Sequence, residues 1–245
     1  ALGYEASSEA NIGGAFMQKR AAALSSEVSE LAARASHAYD LAYARSVAAV
    51  VMWFTGDWAD AENLLRDALR AYADVNSTTA HERDVLQSFL VGALEAQGKI
   101  PQLREQLSEQ RIAALVTGHR LTLLLCDLAD AGLPALADDR ALAAIARADA
   151  LLAEHPADGF TPLHFQHFVV TTSARLYAGH SAQAYQQVEQ TWQRVRHSYL
   201  PQLDAGAVML HQLRARAALA LATHSPSAES ERLRKLARKL ATSLG

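Results

Sequence analysis

An all-α fold of stacked antiparallel helix pairs is what three features of the 245-residue chain predict. Alanine and leucine dominate a sequence that is 50% apolar, β-branched residues are sparse, and proline occurs six times. Apolar residues recur at three- and four-residue steps through every long segment, the period of a helix with one buried face. Glycines interrupt these segments at recurring places, and the alternating runs that mark half-buried strands are absent.

Taken in order, residues 1–12 read as the end of a preceding helix. From Gly13 or Gly14 to about Ala35, the spacing of Phe16, Ala23, Leu24, Val28, Leu31 and Ala35 predicts one amphipathic helix. The stretch around which the rest is organised is VAAVVMWFTGDWADAENLLRDALRAY at 47–72, within a hairpin running from about Tyr39 to Val75. Gly56 suits the left-handed position that ends a helix, and Asp57 is expected to cap the next one. Two helices joined this tightly must run antiparallel and bury their facing stripes. Asn76 to Thr79 is a polar break, and Thr79-x-x-Glu82 fits a capping box opening a helix to Gln97. Gly98-Lys99 turns the chain into a helix from Ile100 to about Thr117, ended by Gly118.

Gly132-Leu133-Pro134 separates a helix over 121–131 from a second one ending near Glu154, with a turn at 155–159. Thr161-Pro162 reads as a cap with proline at the first helical position, where its missing N–H costs nothing. The hairpin that follows runs 163–178, turns at Gly179, and continues over 181–199; Pro201 then resets the chain. A last pair covers about 203–223 and, after Ser225-Pro226, 227–244. Gly56, Gly98 and Gly179 each close a first helix and are followed at the same offsets by Trp58/Ala61/Leu65, Ile100/Leu103/Leu107 and Ser181/Ala184/Val188. The 42 residues from Gly56 to Gly98 exceed the ~34 of a regular tetratricopeptide repeat. The expectation is therefore an irregular tetratricopeptide-like solenoid of about five pairs, a single helical-repeat domain over 1–245 with no internal boundary.

Charge and composition exclude several classes of work. A net charge of -3 argues against general affinity for nucleic acid, which needs many cationic phosphate contacts, and against anionic membrane surfaces. The longest apolar runs, 47–54 and 121–126, are far shorter than a membrane span. A lone cysteine, Cys126, makes no internal disulfide, so a reducing, cytoplasmic setting is expected. The start ALGYEASSEA lacks an initiator Met and a secretory pattern, and reads as a piece cut from something longer.

Four segments carry a family likeness: WFTGDWADAENLLRDALRAY at 53–72, TTAHERDVLQSFLVGALEAQGKIPQL at 78–103, DGFTPLHFQHFVVTTSARLYAGHSAQAYQQVEQTWQRVR at 158–196, and LHQLRARAALALA at 210–222. Together they resemble the helical repeat region at the C-terminal end of many large bacterial serine/threonine protein kinases, the kind common in myxobacteria and planctomycetes. The most specific piece is LHFQHF at 163–168, with Gln166-His167 before an aromatic; Val169 stands where an aromatic is usual. The resemblance implies a non-catalytic region attached to a kinase or comparable signalling protein, and it names no ligand.

Catalytic motifs are missing. There is no glycine-rich phosphate loop, catalytic H-R-D or magnesium-binding D-F-G. His81-Glu82-Arg83-Asp84 is interrupted by Glu82, which reads more simply as a cap. Gly179-His180-Ser181-Ala182-Gln183 begins like a nucleophile elbow, but its fifth residue is Gln and helices flank it, so Ser181 reads as an N-cap. His164 and His167 share a helix face without a third ligand, and Cys126 has no C-x-x-C partner, so no metal and no cofactor are expected. Asp138-Asp139 reads as a helix start favoured by the dipole.

In tetratricopeptide register the first helix of each pair lines the concave side, which would place Tyr43, Ser46, Trp53, Ser88, Gln166, Ser173 and Tyr177 there. Tyr43, Trp53, Gln166 and Tyr177 are the expected partner-binding residues, with His167 and Arg175 in support. The bland alternative for Gln166 and His167 is interhelical hydrogen bonding, and for Trp53, packing between hairpins. The expected function is a protein- or peptide-binding scaffold, or a regulatory region acting on its own kinase domain. The alternative is a small-molecule sensor with a pocket between hairpins lined by Trp53, Tyr177 and Trp192. A third surface is the last helix, whose Arg232, Arg234, Lys235, Arg238 and Lys239 could meet an acidic partner.

Overall fold

The computed structural model describes residues 1–75, 79–155, 160–196 and 204–242. All regular structure among them is helical: α1 (Leu2–Ile12), α2 (Gly14–Ala35), α3 (Ala38–Thr55), α4 (Trp58–Ala73), α5 (Ala80–Ala96), α6 (Ile100–Thr117), α7 (Arg120–Asp130), α8 (Leu133–Ala137), α9 (Ala141–Ala153), α10 (Pro162–Tyr177), α11 (Ser181–Val195), α12 (Asp204–Ala222) and α13 (Ser227–Thr242). The all-α class and the positions of the long helices agree with the sequence reading, and residues 1–12, read as the tail of a preceding helix, form α1. The break at 76–78, most of the turn at 155–159, the reset at Pro201 and the ends of the helices placed to Tyr199 and Leu244 lie outside the described residues.

Glycine punctuation works as expected. Gly56, Gly98 and Gly179 have φ of 87°, 66° and 76°, the left-handed region in which a side chain would clash with its own backbone. Several polar caps do not form. Thr79 precedes α5 without a side-chain capping bond, and the Glu82 carboxylate accepts from the Tyr39 hydroxyl at 2.9 Å. Asp57 makes no capping bond either; its carboxylate accepts from the Thr55 hydroxyl at 3.2 Å. Ser181 is the first helical residue of α11 and His180 takes the cap position, since the Gly179 turn has already delivered the Ser181 N–H to the Gly179 carbonyl at 2.9 Å. Between Gly132 and the end near Glu154 the chain forms two helices, α8 and α9. Asp138 and Asp139, read as a helix start, lie between them just before α9, Asp139 at φ 58° and Asp138 held by Arg140 at 2.6 Å.

The contacts gather into two compact units, Ala1–Gln106 and Leu107–Gly245, each with its own core. In the first, α1 to α4 each pack on the next helix, and α1 also meets α3 while α3 meets α5. Ala6, Ala10, Ala21, Ala32 and Ala44 build one seam with Val28, Val47 and Val51, so the helices approach closely at small side chains. Glu62, at the start of α4, ties in the turn before α6: it accepts from Lys99 at 2.8 Å, Gln97 at 3.0 Å and Arg66 at 3.1 Å. Burial opposes its charge, but these three donors outweigh that and hold the carboxyl below the ordinary value.

In the second unit α10 is central, touching α7, α8, α9, α11 and α12. Phe168, Ala184, Val188, Val195, Leu210, Leu213 and Ala217 form the core between α10, α11 and α12. An ionic square ties α6, α7 and α9: Asp127 and Asp130 of α7 face Arg147 of α9 at 3.0 and 3.3 Å, and Arg111 of α6 as well. Arg214 of α12 grips Glu189 of α11 through two bonds of 2.6 and 3.0 Å and lies 5.0 Å over the Trp192 ring. No described helix is long and apolar enough to cross a membrane.

Candidate functional site

An open cleft of about 540 Å³ lies in the second unit, between the end of α9, the first half of α10 and the second half of α11. Its floor is Leu152, Phe160, Phe168 and Thr191, and its walls are His164, His167, Gln187, Gln190, Gln193 and Arg194. The helical period explains this composition. Ala184, Val188, Thr191 and Val195 turn the buried stripe of α11 inward, which leaves Gln187, Gln190 and Arg194 along an adjacent stripe at three- and four-residue steps.

The first turn of α10 fixes one wall. Pro162 occupies the first helical position, and the Thr161 N–H donates to His164 Nδ1 at 3.3 Å, closing a reciprocal cap. With Nδ1 accepting, the ring proton sits on Nε2, so His164 offers a neutral N–H donor. Burial, then the nearby Arg194 charge and His167, push its pKa below the ordinary histidine value. One turn on, His167 Nε2 is 2.7 Å from the Asp149 carboxylate of α9.

The opposite wall is held by a saturated network. Gln187 Oε1 accepts from Arg175 at 2.6 Å and from the Thr172 hydroxyl at 3.1 Å, while its amide donates to the Thr171 hydroxyl at 2.7 Å. Thr171 passes its own proton to the His167 carbonyl at 2.8 Å. Both threonines are fully buried, so each bond satisfies a group that would otherwise be stranded away from water. Gln187 is thus a rigid part of the wall. Gln190 and Gln193 are exposed at the rim, and Arg194 lies 5.6 Å over the Phe160 ring without a carboxylate partner among the described residues.

The expected binding residues fall in different places. His167 lines the cleft and Arg175 braces its wall through Gln187. Gln166 is half-buried on α10 beside the cleft, and its side chain makes no hydrogen bond among the described residues. Tyr177 is 54% exposed near Asp139, whose carboxylate accepts from the phenol and raises its pKa. Tyr43 and Trp53 belong to the first unit and pack. Tyr43 stacks on Tyr39 and covers Gly3 so closely that an added Cβ would stand 2.5 Å from its hydroxyl. Trp53 sits edge-on to Phe54 and Phe89 at 5.1 and 5.3 Å and over Gly92, with its indole N–H buried and unpartnered. Ser46 is buried too, its hydroxyl donating to the Ala42 carbonyl at 2.8 Å and hydrogen-bonded to the Tyr72 hydroxyl at 3.2 Å.

Phe160, Gln187, Gln190 and Arg194 are cleft residues that the sequence reading did not select. The polar stripe of α11 was the available signal, because three- and four-residue steps of Gln and Arg beside an apolar stripe mark a face that meets something other than core. No group of three His, Cys, Asp or Glu side chains is placed to hold a metal among the described residues. A second dent of about 310 Å³, in the first unit, is lined by Arg45, Asp67, Arg70, Ala71 and Asp74, with Arg70 and Asp67 paired to each other. No family model, curated protein or solved structure matches the chain.

Proposed function

We propose that this chain is a non-catalytic helical scaffold that binds an extended peptide or protein segment in the α9–α10–α11 cleft. The observation that carries the reading is the cleft itself: it is open, floored by apolar side chains and walled by histidine, glutamine and arginine side chains held by a bonded frame. An extended segment suits such a site because its alternate side chains reach the floor while its backbone amides meet the polar walls. An enclosed pocket would favour a small molecule instead. The succession of neighbouring helices in contact, with α1 on α3 and α3 on α5, is the pattern expected of stacked pairs and supports a tetratricopeptide-like solenoid.

The attachment to a serine/threonine kinase, with that kinase domain as an intramolecular partner, rests on the likeness of 53–72, 78–103, 158–196 and 210–222 to kinase repeat regions. A signalling role in the cytoplasm belongs to the same proposal. The test is a random peptide array probed with the chain and with Gln190→Trp, which fills the cleft mouth from an exposed position. Loss of peptide retention with helicity unchanged supports the reading; undiminished retention by Gln190→Trp contradicts it.

A further inference from the structure

The cleft is lined by ionisable and polar side chains unevenly distributed between the two signs of charge. Of its ten lining residues, one is an arginine, two are histidines, three are glutamines and none is a carboxylate. The arginine is pre-placed. Arg194 is stacked over Phe160, which limits the rotamers it must surrender on binding, and no carboxylate neutralises it among the described residues. His164 is committed through Nδ1 to the cap of α10, so Nε2–H is its remaining donor and it cannot turn to present an acceptor. Gln187 is spent on Arg175, Thr171 and Thr172, whereas Gln190 at the rim keeps both amide donors.

From this arrangement we propose that the cleft selects an acidic side chain, aspartate or glutamate, on the bound segment, with Arg194 as its ion-pairing partner and His164 and Gln190 as neutral donors beside it. The inference rests on the reading of the cleft as a peptide site. One guanidinium forms a fork that a carboxylate fits with two parallel bonds. The site suits a monoanion better than a dianionic phosphoryl group. It holds a single unneutralised cation, and Asp149, with its side chain 51% exposed at the edge where it meets His167, repels additional negative charge. A basic segment would place like charge against Arg194, and a neutral one would leave it without an anion.

The test uses the 245-residue chain and synthetic decapeptides with both ends blocked, in acidic, neutral and basic classes of otherwise random composition. Binding is measured by fluorescence anisotropy for the wild type, Arg194→Gln and Arg234→Gln. The last variant removes an exposed charge from the basic face of α13 and controls for attraction there. The expected result is preferential binding of the acidic class, weakened on the order of tenfold by Arg194→Gln and by added salt, and unchanged by Arg234→Gln. Circular dichroism establishes that both variants remain helical. Equal binding of all three classes, or acidic binding unaffected by Arg194→Gln, overturns the acidic selectivity while leaving peptide binding in place. Absence of binding by every class overturns the peptide reading itself.

Discussion

Helices α3 and α10 hold comparable places in their units, each packed on several neighbours, yet their accessible chemistry is opposite. The α3 side chains with the greatest capacity to anchor a partner, Tyr43 and Trp53, are used against the rings of Tyr39, Phe54 and Phe89 and against Gly3 and Gly92. On α10 the aromatic Phe168 is buried in the core, and the polar His164 and His167 face the open cleft. A large aromatic residue therefore says little by itself about a binding surface. What distinguishes the two helices is where polar groups are braced by other polar groups: α10 has the Gln187 network behind it, whereas the Trp53 cluster leaves an indole N–H without a partner.

That contrast breaks most clearly on Trp53. Trp53→Ala removes a ring packed against two others and leaves a void, so it should cost ~3 kcal/mol or more in urea unfolding. If it leaves stability intact and instead abolishes partner binding, α3 is a recognition helix after all. Next in size is Gln187→Ala, which strands the fully buried Thr172 hydroxyl and takes away the amide that donates to Thr171, and which should cost about 2 kcal/mol, with peptide binding weakened through the loosened wall. A change below about 0.5 kcal/mol would mean that water replaces the amide and that the network does not brace the cleft.

Glu95 gives a pH signature confined to the first unit. Burial drives its carboxyl up to about 7, and no partner compensates among the described residues. A folded-state value raised above the unfolded one favours the protonated form. Its stabilising share is present below about 4.5 and is lost as pH rises through about 7. Glu95→Gln should therefore leave stability near pH 4 almost unchanged and add on the order of 2 kcal/mol at pH 8. Glu62 works in the other direction, since its lowered value gives stability that disappears as pH falls below the ordinary glutamate range. Parallel pH profiles for the wild type and Glu95→Gln would show that the carboxyl reaches solvent freely. The smallest effect belongs to Arg194→Gln, an exposed change expected to shift unfolding by less than about 0.5 kcal/mol.

Much of the fold was legible because helical periodicity and glycine turns are local signals. Gly56, Gly98 and Gly179 act through their own backbone, and their turns fell where the sequence placed them. The polar caps were less legible because they depend on competition across the chain. Thr79-x-x-Glu82 is locally a capping box, but the Tyr39 hydroxyl, 43 residues away, takes the carboxylate. The cleft was only partly visible for a similar reason. His167 could be singled out, but Arg194 matters through Phe160 and His164, and Gln187 through Thr171, Thr172 and Arg175, relations that exist only once α10 lies on α11.

The most direct measurement is hydrogen exchange across the whole chain, read with and without a saturating acidic peptide drawn from the blocked decapeptides. Slowed exchange should be concentrated in α10 and α11, at 162–177 and 181–195, with α3 unaffected at 38–55. Protection over 38–55 with none over 162–195 would contradict the account, moving recognition to the helix whose aromatic side chains it treats as packing.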